Sequence, residues 1–413
     1  MKTPLGINVF NAARERIKYI FDDSSIKKIY VSFSGGKDST VMLHMVAEEA
    51  RLRNRRIGVL IVDLEAQYSL TVDNLSSLVA QYRDIIDLYW VCLPIILRNA
   101  VSVFNPRWVC WEKENKPIWV RNPPPEAITD SNFFPFFHDK MEFEEFIHEF
   151  GTWYSGGERT ACFVGIRSDE SINRFRTIAS KKKIPLNGKQ WTTIDRKNSL
   201  INVYPIYDWR TRDIWIYHAK TGKTYNRIYD LMQMAGLPMS KQRLCQPYGD
   251  DQRQGLHLFH ILEPETWTKI VARVSGANSG AEFVQLRGSV SGIYKISKPD
   301  NHTWESFCEL LLNTIPETLA EHYRNKIYLF LKWYKTRGYP DGIPDFLDEQ
   351  IEARRTAPSW RRIAKMILRN DYWGKGLSFT QTQSGDAYQA YINRLKKERE
   401  QNGDRLEKAS SRK

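Results

Sequence analysis

The sequence predicts an α/β protein: an open, mostly parallel, doubly wound sheet with an aromatic insertion, followed by a helical C-terminal domain. Three observations lead there. Short apolar runs alternate with helical patterns through residues 1–240, the signature of parallel strands crossed by helices. A glycine-rich loop, Ser34-Gly35-Gly36-Lys37-Asp38-Ser39-Thr40, joins the first such strand to an amphipathic helix. From residue 241 onward, strand signals give way to long helical patterns.

The elements follow in order. Residues 8–21 read as a leading helix, and Ile26 to Phe33, apolar and β-branched, as the first strand. After the loop, Val41, Met42, Met45 and Val46 recur at helical spacing. Ile57 to Asp63 is a second strand, 69–84 a helix, and Ile85 to Cys92 a third strand. An excursion over 94–150, rich in Trp, Pro and Phe, interrupts the alternation; it reads equally as a docking surface or as a cover for the sheet. Thr160 to Ile166 and Leu200 to Ile206 are later strands, the latter followed by a helix from Asp213 to Tyr217. Helical patterns then occupy 303–315, 317–337, 345–355 and 358–370, and 394–413 is a charged tail. The expected domains are 1–240, 241–393 and the tail.

Composition is that of a globular chain: 413 residues, 42% hydrophobic and 26% charged, with 13% aromatics. A formal net charge of +13 suits a polyanionic partner such as nucleic acid. The five cysteines form no CxxC pair, so neither zinc nor an iron–sulfur cluster is expected, and a reduced, cytoplasmic setting is. No apolar run approaches membrane-spanning length. Oligomeric state is not readable.

The loop is suited to phosphate. Its amides can converge at a helix N-terminus, where the dipole favours negative charge. Gly35 and Gly36 permit close approach, and Ser34 and Ser39 offer hydroxyls. A Walker A loop requires Ser or Thr after Gly-Lys, and Asp38 stands there instead; the G-x-G-x-x-G dinucleotide pattern is absent. Ser-Gly-Gly-x-Asp-Ser resembles the pyrophosphate loop of N-type ATP pyrophosphatases and PAPS (phosphoadenylyl sulfate) reductases, a superfamily with the adenine nucleotide alpha-hydrolase-like fold.

Two further segments share that resemblance. Gly165-Ile166-Arg167-Ser168-Asp169-Glu170-Ser171-Ile172-Asn173-Arg174 is similar to the Gly-x-Arg-x-x-(Glu)-Ser-x-x-Arg pattern of PAPS reductases. The match implies that Gly165, Arg167 and Arg174 contact a nucleotide or its sulfate, although Arg174 is also spaced to pair with Glu170. Tyr204-Pro205-Ile206-Tyr207-Asp208-Trp209, with Asp213-Ile214-Trp215 and Tyr225-Asn226, resembles the family's Pro-Leu-x-Asp-Trp segment and reads as architectural. At the end of the second strand, Asp63 and Glu65 are placed to take a ribose hydroxyl or Mg²⁺. In the second half, Tyr328 to Tyr334, Pro358 to Arg362 and Leu368 to Trp373 look like the immunoglobulin-binding regulator A branch, which implies a ParB-like protein partner.

The resemblance implies ATP or PAPS as the adenine nucleotide. Lys37, Asp38 and Arg167 are then the residues of the chemistry, Ser34, Gly35, Gly36, Asp38, Ser39 and Thr40 the phosphate cradle, and Asp38 the Mg²⁺ ligand. The chain departs from PAPS reductases in having no cysteine after Cys308, hence no tail thiol. Cys245, between Arg243 and Arg253, is the one substitute. The expected function is therefore ATP cleavage at the α–β bond for adenylyl or sulfur transfer, with nucleic acid as an acceptor. The alternatives are PAPS reduction and a non-catalytic, nucleotide-dependent transcriptional regulator.

Overall fold

The computed structural model describes residues 6–101, 107–180, 183–195, 200–249, 256–274, 298–315, 317–355 and 357–368, with 277, 296, 371 and 374–379. The chain divides into two compact units, Met1–Val290 and Ser291–Lys413. The first unit extends beyond the expected boundary at 240. The reason is hydrophobic: Leu256, Phe259, Ile270 and Val274 join the same core as the sheet.

In chain order the first unit contains α1 (Val9–Asp22), β1 (Lys28–Ser32), α2 (Lys37–Leu52), β2 (Ile57–Val62), α3 (Ser69–Gln81) and β3 (Ile86–Val91). A short antiparallel pair follows, β4 (Ile96–Arg98) and β5 (Arg107–Val109), then α4 (Phe143–Ser155) and β6 (Thr160–Val164). After α5 (Ile172–Ala179) come β7 (Thr192–Ile194), β8 (Leu200–Val203), α6 (Thr211–Thr221), α7 (Ile228–Met234), α8 (Leu256–Leu262) and α9 (Pro264–Arg273). The six-stranded sheet runs β3-β2-β1-β6-β8-β7, parallel except for the edge strand β7. The chain leaves β1 toward β2 and β3, then returns to the other side of β1 with β6. The switch in strand order therefore lies between β1 and β6, where such sheets open a crevice at their carboxyl ends. Ser32 pairs with Val164, so the loops after these two strands are neighbours.

Parallel strands buried on both faces need continuous apolar runs. β1 and β2 supply them: Ile29, Tyr30, Val31, Ile57, Val59, Leu60 and Ile61 are all buried. Part of the insertion covers the sheet. Trp108, Trp111, Phe134 and Met141 are buried, and Phe134 packs with Phe146, Phe150 and Trp153 of α4 at centroid distances of 5.0–6.0 Å. The Asp208-Trp209 segment is architectural: Arg16 of α1 donates to both Asp208 oxygens (2.8 and 2.7 Å), and Trp209 Nε1 donates to the Val9 carbonyl at 3.0 Å.

The second unit is helical: α10 (Trp304–Thr314), α11 (Glu317–Lys335), α12 (Glu349–Arg354) and α13 (Trp360–Leu368). Thr303 opens α10 as a capping box with Ser306. Trp304, Phe307, Tyr323, Phe330, Ile363 and Met366 are buried within this unit. The charged tail, Arg253, and the Tyr372-Trp373 part of the second-half motif lie outside the described residues. No helix among the described residues is long and apolar enough to cross a membrane.

One buried titratable group in the first unit has a measurable consequence. His44, on α2, meets the Tyr82 hydroxyl at Nδ1 (2.6 Å) and the Thr224 carbonyl at Nε2 (2.9 Å). The carbonyl must receive a proton from Nε2, so Nδ1 accepts from Tyr82 and the ring is neutral. Burial pushes its pKa down to about 4. A folded pKa below the unfolded value of about 6.5 means the folded state binds fewer protons. Stability is then complete above pH ~6.5 and falls, by roughly 3 kcal/mol, as the pH drops toward 4. Urea midpoints measured across that window should show the loss, and His44→Gln should flatten it whatever that change costs at neutral pH.

Candidate functional site

The phosphate loop sits where its sequence places it, at the carboxyl end of β1, and its shape depends on backbone freedom. Gly35 has φ +72°, a left-handed conformation, and a Cβ there would meet Leu75 and Thr71 at 3.1 Å. Gly36 is the N-cap of α2 and has no side chain with which to cap it, so first-turn amides are left for an external acceptor. Ser39 Oγ braces the turn: it receives the Ser34 amide at 3.3 Å, lies 3.0 Å from Ser34 Oγ and donates to the Gly36 carbonyl at 3.0 Å. From outside the loop, Asn226 donates to the Gly35 carbonyl (3.2 Å) and Tyr229 Oη accepts the Lys37 amide (3.1 Å). Thr40 is fully buried and its hydroxyl makes no hydrogen bond.

Gly165, just after β6, is where the second motif meets the first. A Cβ there would lie 2.9 Å from the Asp38 carbonyl oxygen and from Ser39 N and Cα, all backbone, so no side chain fits. Two residues on, Arg167 is 2% exposed; its Nε donates to Asp38 and its Nη1 to Asp169. Its Nη2 has no hydrogen-bond partner among the described residues. Lys37 Nζ stands 3.4 Å from the other Asp38 oxygen and donates to the Gln242 carbonyl at 3.1 Å.

Several expectations change at this point. Asp38 was expected to hold Mg²⁺, but its two oxygens face Arg167 and Lys37, so the carboxylate is already neutralised by two cations and does not fit a metal ligand. No group of three or more metal-ligating side chains occurs among the described residues. Asp63 and Glu65 are fully buried, and protein donors occupy every carboxylate oxygen. Asp63 accepts from Glu65 N (3.0 Å), Trp90 Nε1 (2.9 Å) and Arg121. Glu65, at φ +67°, accepts from Trp111 N (2.7 Å), Val120 N (3.1 Å) and Arg273 Nε (2.7 Å) and Nη2 (3.2 Å). Both hold the insertion and α9 to the end of β2; neither turns to a ribose or a metal. Arg174, in the first turn of α5, pairs with Glu170 at 2.9 Å. Burial raises the Glu170 pKa against that pairing.

Beside the loop lies a cavity of about 200 Å³ lined by Ser32, Phe33 and Ser34 of the first strand and loop, by Leu60 to Val62, and by Gln67, Tyr68, Thr71, Phe143, Leu244 and Cys245. Tyr68 is buried and stacks on Phe259 at 3.8 Å, and its hydroxyl has no hydrogen-bond partner; neither has Gln67 Oε1. The segment 242–246 closes one side: Gln242 holds Lys37, Arg243 donates to the Glu170 carbonyl, and Leu244 to Gln246 form the wall. Cys245 is thereby brought to the same cavity as Ser34. Gln67, Tyr68, Tyr229 and Gln242 were not singled out by the sequence, since no local motif marks them, and Asn226 was read only as part of an architectural segment.

A family model described as "Phosphoadenosine phosphosulfate reductase domain" matches residues 130–234, covering the Arg167 and Asp208-Trp209 segments, and a "Domain of unknown function (DUF3440)" matches 236–342. An uncharacterized protein of Escherichia coli (strain K12), YbdN, is 44% identical over 404 residues, covering 97% of this chain and 98% of its own. An uncharacterized Methanocaldococcus jannaschii protein, MJ0066, is 26% identical over 209 residues, covering 49% and 34% respectively. Among solved structures, the PAPS reductase of Candida auris is similar with a TM-score of 0.31 and 14% identity, covering 56% of this chain and 93% of that one.

The geometry separates two kinds of ion pair. Glu65→Ala strands the buried Arg273 guanidinium and should destabilise the protein by about 3–5 kcal/mol. Arg174→Ala removes the 41% exposed partner of a Glu170 side chain that is only 12% exposed and whose pKa burial already raises, so it should cost about 1 kcal/mol, well below the Glu65 change. Urea denaturation of the two variants measures the contrast.

Proposed function

We propose that this chain, which belongs to one family with the Escherichia coli relative and whose residues 130–234 match the phosphoadenosine phosphosulfate reductase domain, binds an adenine nucleotide with its phosphates on Ser34–Ser39 and its nucleoside in the adjoining cavity. We assign ATP cleavage at the α–β bond, with transfer of the adenylyl group, as the reaction. The carrying observation is the continuity of the cavity with the loop: Ser34 belongs to both, and Tyr68 and Gln67, whose hydroxyl and Oε1 have no hydrogen-bond partner among the described residues, line the cavity together with Phe33, Leu60, Ile61, Val62 and Leu64. An apolar cavity with a few polar atoms suits a heterocycle with a polar edge.

The roles of the chain's own groups follow. Amides of the first turn of α2, with the Ser34 and Ser39 hydroxyls, hold the pyrophosphate end. Arg167, fixed by Asp38 and Asp169, directs Nη2 toward phosphate oxygens, where a guanidinium stabilises charge that develops as the bond breaks. An oxygen of the acceptor forms the bond to the α-phosphorus, the bond from the α-phosphorus to the bridging oxygen breaks, pyrophosphate leaves, and the acceptor's proton passes to solvent. No protein nucleophile is required. Asp38 acts as the positioning partner of Arg167, and no step is assigned to a metal at that carboxylate.

Cys245 supports a second reading, PAPS reduction through a thiol, because the wall segment places it in the cavity with Ser34. The other cysteines in this unit are poor candidates. Burial raises the thiol pKa of Cys92 and of Cys110, and pushes that of Cys162 to about 12.

With ATP and a range of acceptors, wild type should release pyrophosphate. Ser34→Ala and Arg167→Gln should each lower the rate at least about 100-fold, as loss of a donor to developing charge does. Undiminished release in both variants would overturn the assignment. Tyr68→Phe should weaken ATP binding about fivefold, read by calorimetry, with the melting temperature of the unliganded protein unchanged. The thiol reading predicts instead that, with an external dithiol present, the Cys245 thiolate takes the sulfonate of PAPS as adenosine 3′,5′-bisphosphate leaves, the dithiol then releases sulfite and becomes a disulfide, and Cys245→Ser abolishes sulfite while leaving nucleotide affinity intact.

A further inference from the structure

The second unit carries a surface that the nucleotide site does not use. α11 is amphipathic: Ala320, Tyr323, Ile327 and Phe330 are buried within its unit. Its opposite face exposes large apolar side chains, with Tyr328 60%, Leu329 52% and Trp333 49% exposed. At 100° per residue, Tyr328, Lys332 and Lys335 form one row and Leu329 and Trp333 the row beside it. Isolated exposed hydrophobics need no explanation, but three on adjoining turns of one helix face form a patch.

The patch is cationic as well as aromatic. Between Glu321 and Asp341 the sequence has no acidic residue and has Arg324, Lys326, Lys332, Lys335 and Arg337. The Arg337 guanidinium lies 4.2 Å from the Trp333 ring centroid and its Nη1 donates to the Trp333 carbonyl at 3.2 Å, which orders the indole. Lys332 Nζ is 5.7 Å from the Tyr328 ring. Trp333 also meets Tyr334 edge-on at 4.6 Å. Arg324 is paired with Glu317 at 2.6 Å, whereas Lys332, Lys335 and Arg337 have no ion pair among the described residues, so an ordered ring beside these cations offers a stacking platform and a phosphate track together. A docking protein or a bilayer would use the aromatics; the unbroken run of positive charge complements a polyanion. The protein as a whole has a net charge of +13.

We propose that the face of α11 formed by Tyr328, Leu329, Lys332, Trp333 and Lys335, with Arg337 in the turn that follows, binds single-stranded nucleic acid, bases stacking on Trp333 and Tyr328 while phosphates follow Lys332, Lys335 and Arg337. The segment lies inside the part of the chain matched as a domain of unknown function, to which it assigns a role. The proposal does not depend on what the phosphate loop binds.

The test uses the full chain and fluorescein-labelled, mixed-sequence single strands of DNA and of RNA, about 20 nucleotides long, followed by anisotropy from about 50 mM salt upward. Binding should weaken with salt. Trp333→Ala and Tyr328→Ala should each weaken it about tenfold, Trp333→Phe should retain most of it, and Lys332→Gln should reduce the salt slope by about 0.7. Should an alanine variant fail to fold, Trp333→Phe and Lys332→Gln, which preserve ring and stem, still decide. Absence of binding at low salt overturns the proposal, as does binding that none of these variants changes. Equal, variant-sensitive binding to phosphatidylserine vesicles, or to polyglutamate, would equally overturn it, assigning the face to a membrane or to an indiscriminate charge surface.

Discussion

The first unit turns on one buried carboxylate. Glu65 sits at φ +67° immediately after β2, fully buried, and gathers the Trp111 and Val120 amides and the Arg273 guanidinium. Those partners come from three distant stretches of chain: two points of the insertion and the end of α9. A buried charge is tolerated only when paired and hydrogen-bonded, so the pairing fixes all three against the end of β2. Arg273 is fixed in turn by the Val109 carbonyl at 2.6 Å and lies 5.3 Å from the Trp108 ring. Asp63, two residues earlier, repeats the arrangement with Trp90 and Arg121. The carboxyl edge of β2 is therefore a clamp, and the cavity beside the phosphate loop has a stable wall because of it.

On the other side of the crevice, charge is arranged differently. Asp38, Lys37, Arg167 and Asp169 form a compact alternating set in which no cation lacks an anion. Such a set holds Arg167 in one orientation before a ligand arrives, and pre-positioned charge stabilises a transition state without reorganising. Close packing enforces this: Gly165 lets β6 approach the first turn of α2 to within the space a methyl group would need. The two loops flanking the strand-order switch are therefore one rigid body, and the segment 242–246 rests on both.

What was legible in the sequence followed from chemistry that is local. Strand and helix periodicity located β1, α2, β2, α3 and β3 to within a few residues, because each buries a face whose pattern is written in consecutive positions. The glycine-rich loop was legible because Gly35 and Gly36 are backbone requirements. The roles of Asp63 and Glu65 were misread for a physical reason: an acidic pair at a strand's end looks the same whether it awaits a ligand or an arginine 208 residues away. The insertion's tryptophans were ambiguous in the same way, since burial depends on what the chain brings over them. Tyr68, Tyr229 and Gln242 were invisible because they meet the loop and its cavity from afar, and no spacing rule records that; Asn226 was visible in a motif, but its hold on the Gly35 carbonyl was not.

The distribution of thiols sharpens the question of the chemistry. Cys110 is enclosed, donating weakly to the Leu93 and Ile95 carbonyls at 3.5 Å, and Cys308 lies in the other unit, where burial raises its pKa to about 12. A thiolate that is costly to form is a poor nucleophile. Cys245 differs in position: it belongs to the segment that carries Gln242 to Lys37 and Arg243 to the backbone of Glu170. The same three residues that close the phosphate site thus deliver a sulfur atom to it. Among the chain's described cysteines, thiol chemistry in this cavity would fall to that segment, whereas adenylyl transfer needs from it only the wall and the hold on Lys37. The decisive property of residues 242–246 is accordingly whether they serve as scaffold alone or as scaffold and reagent together.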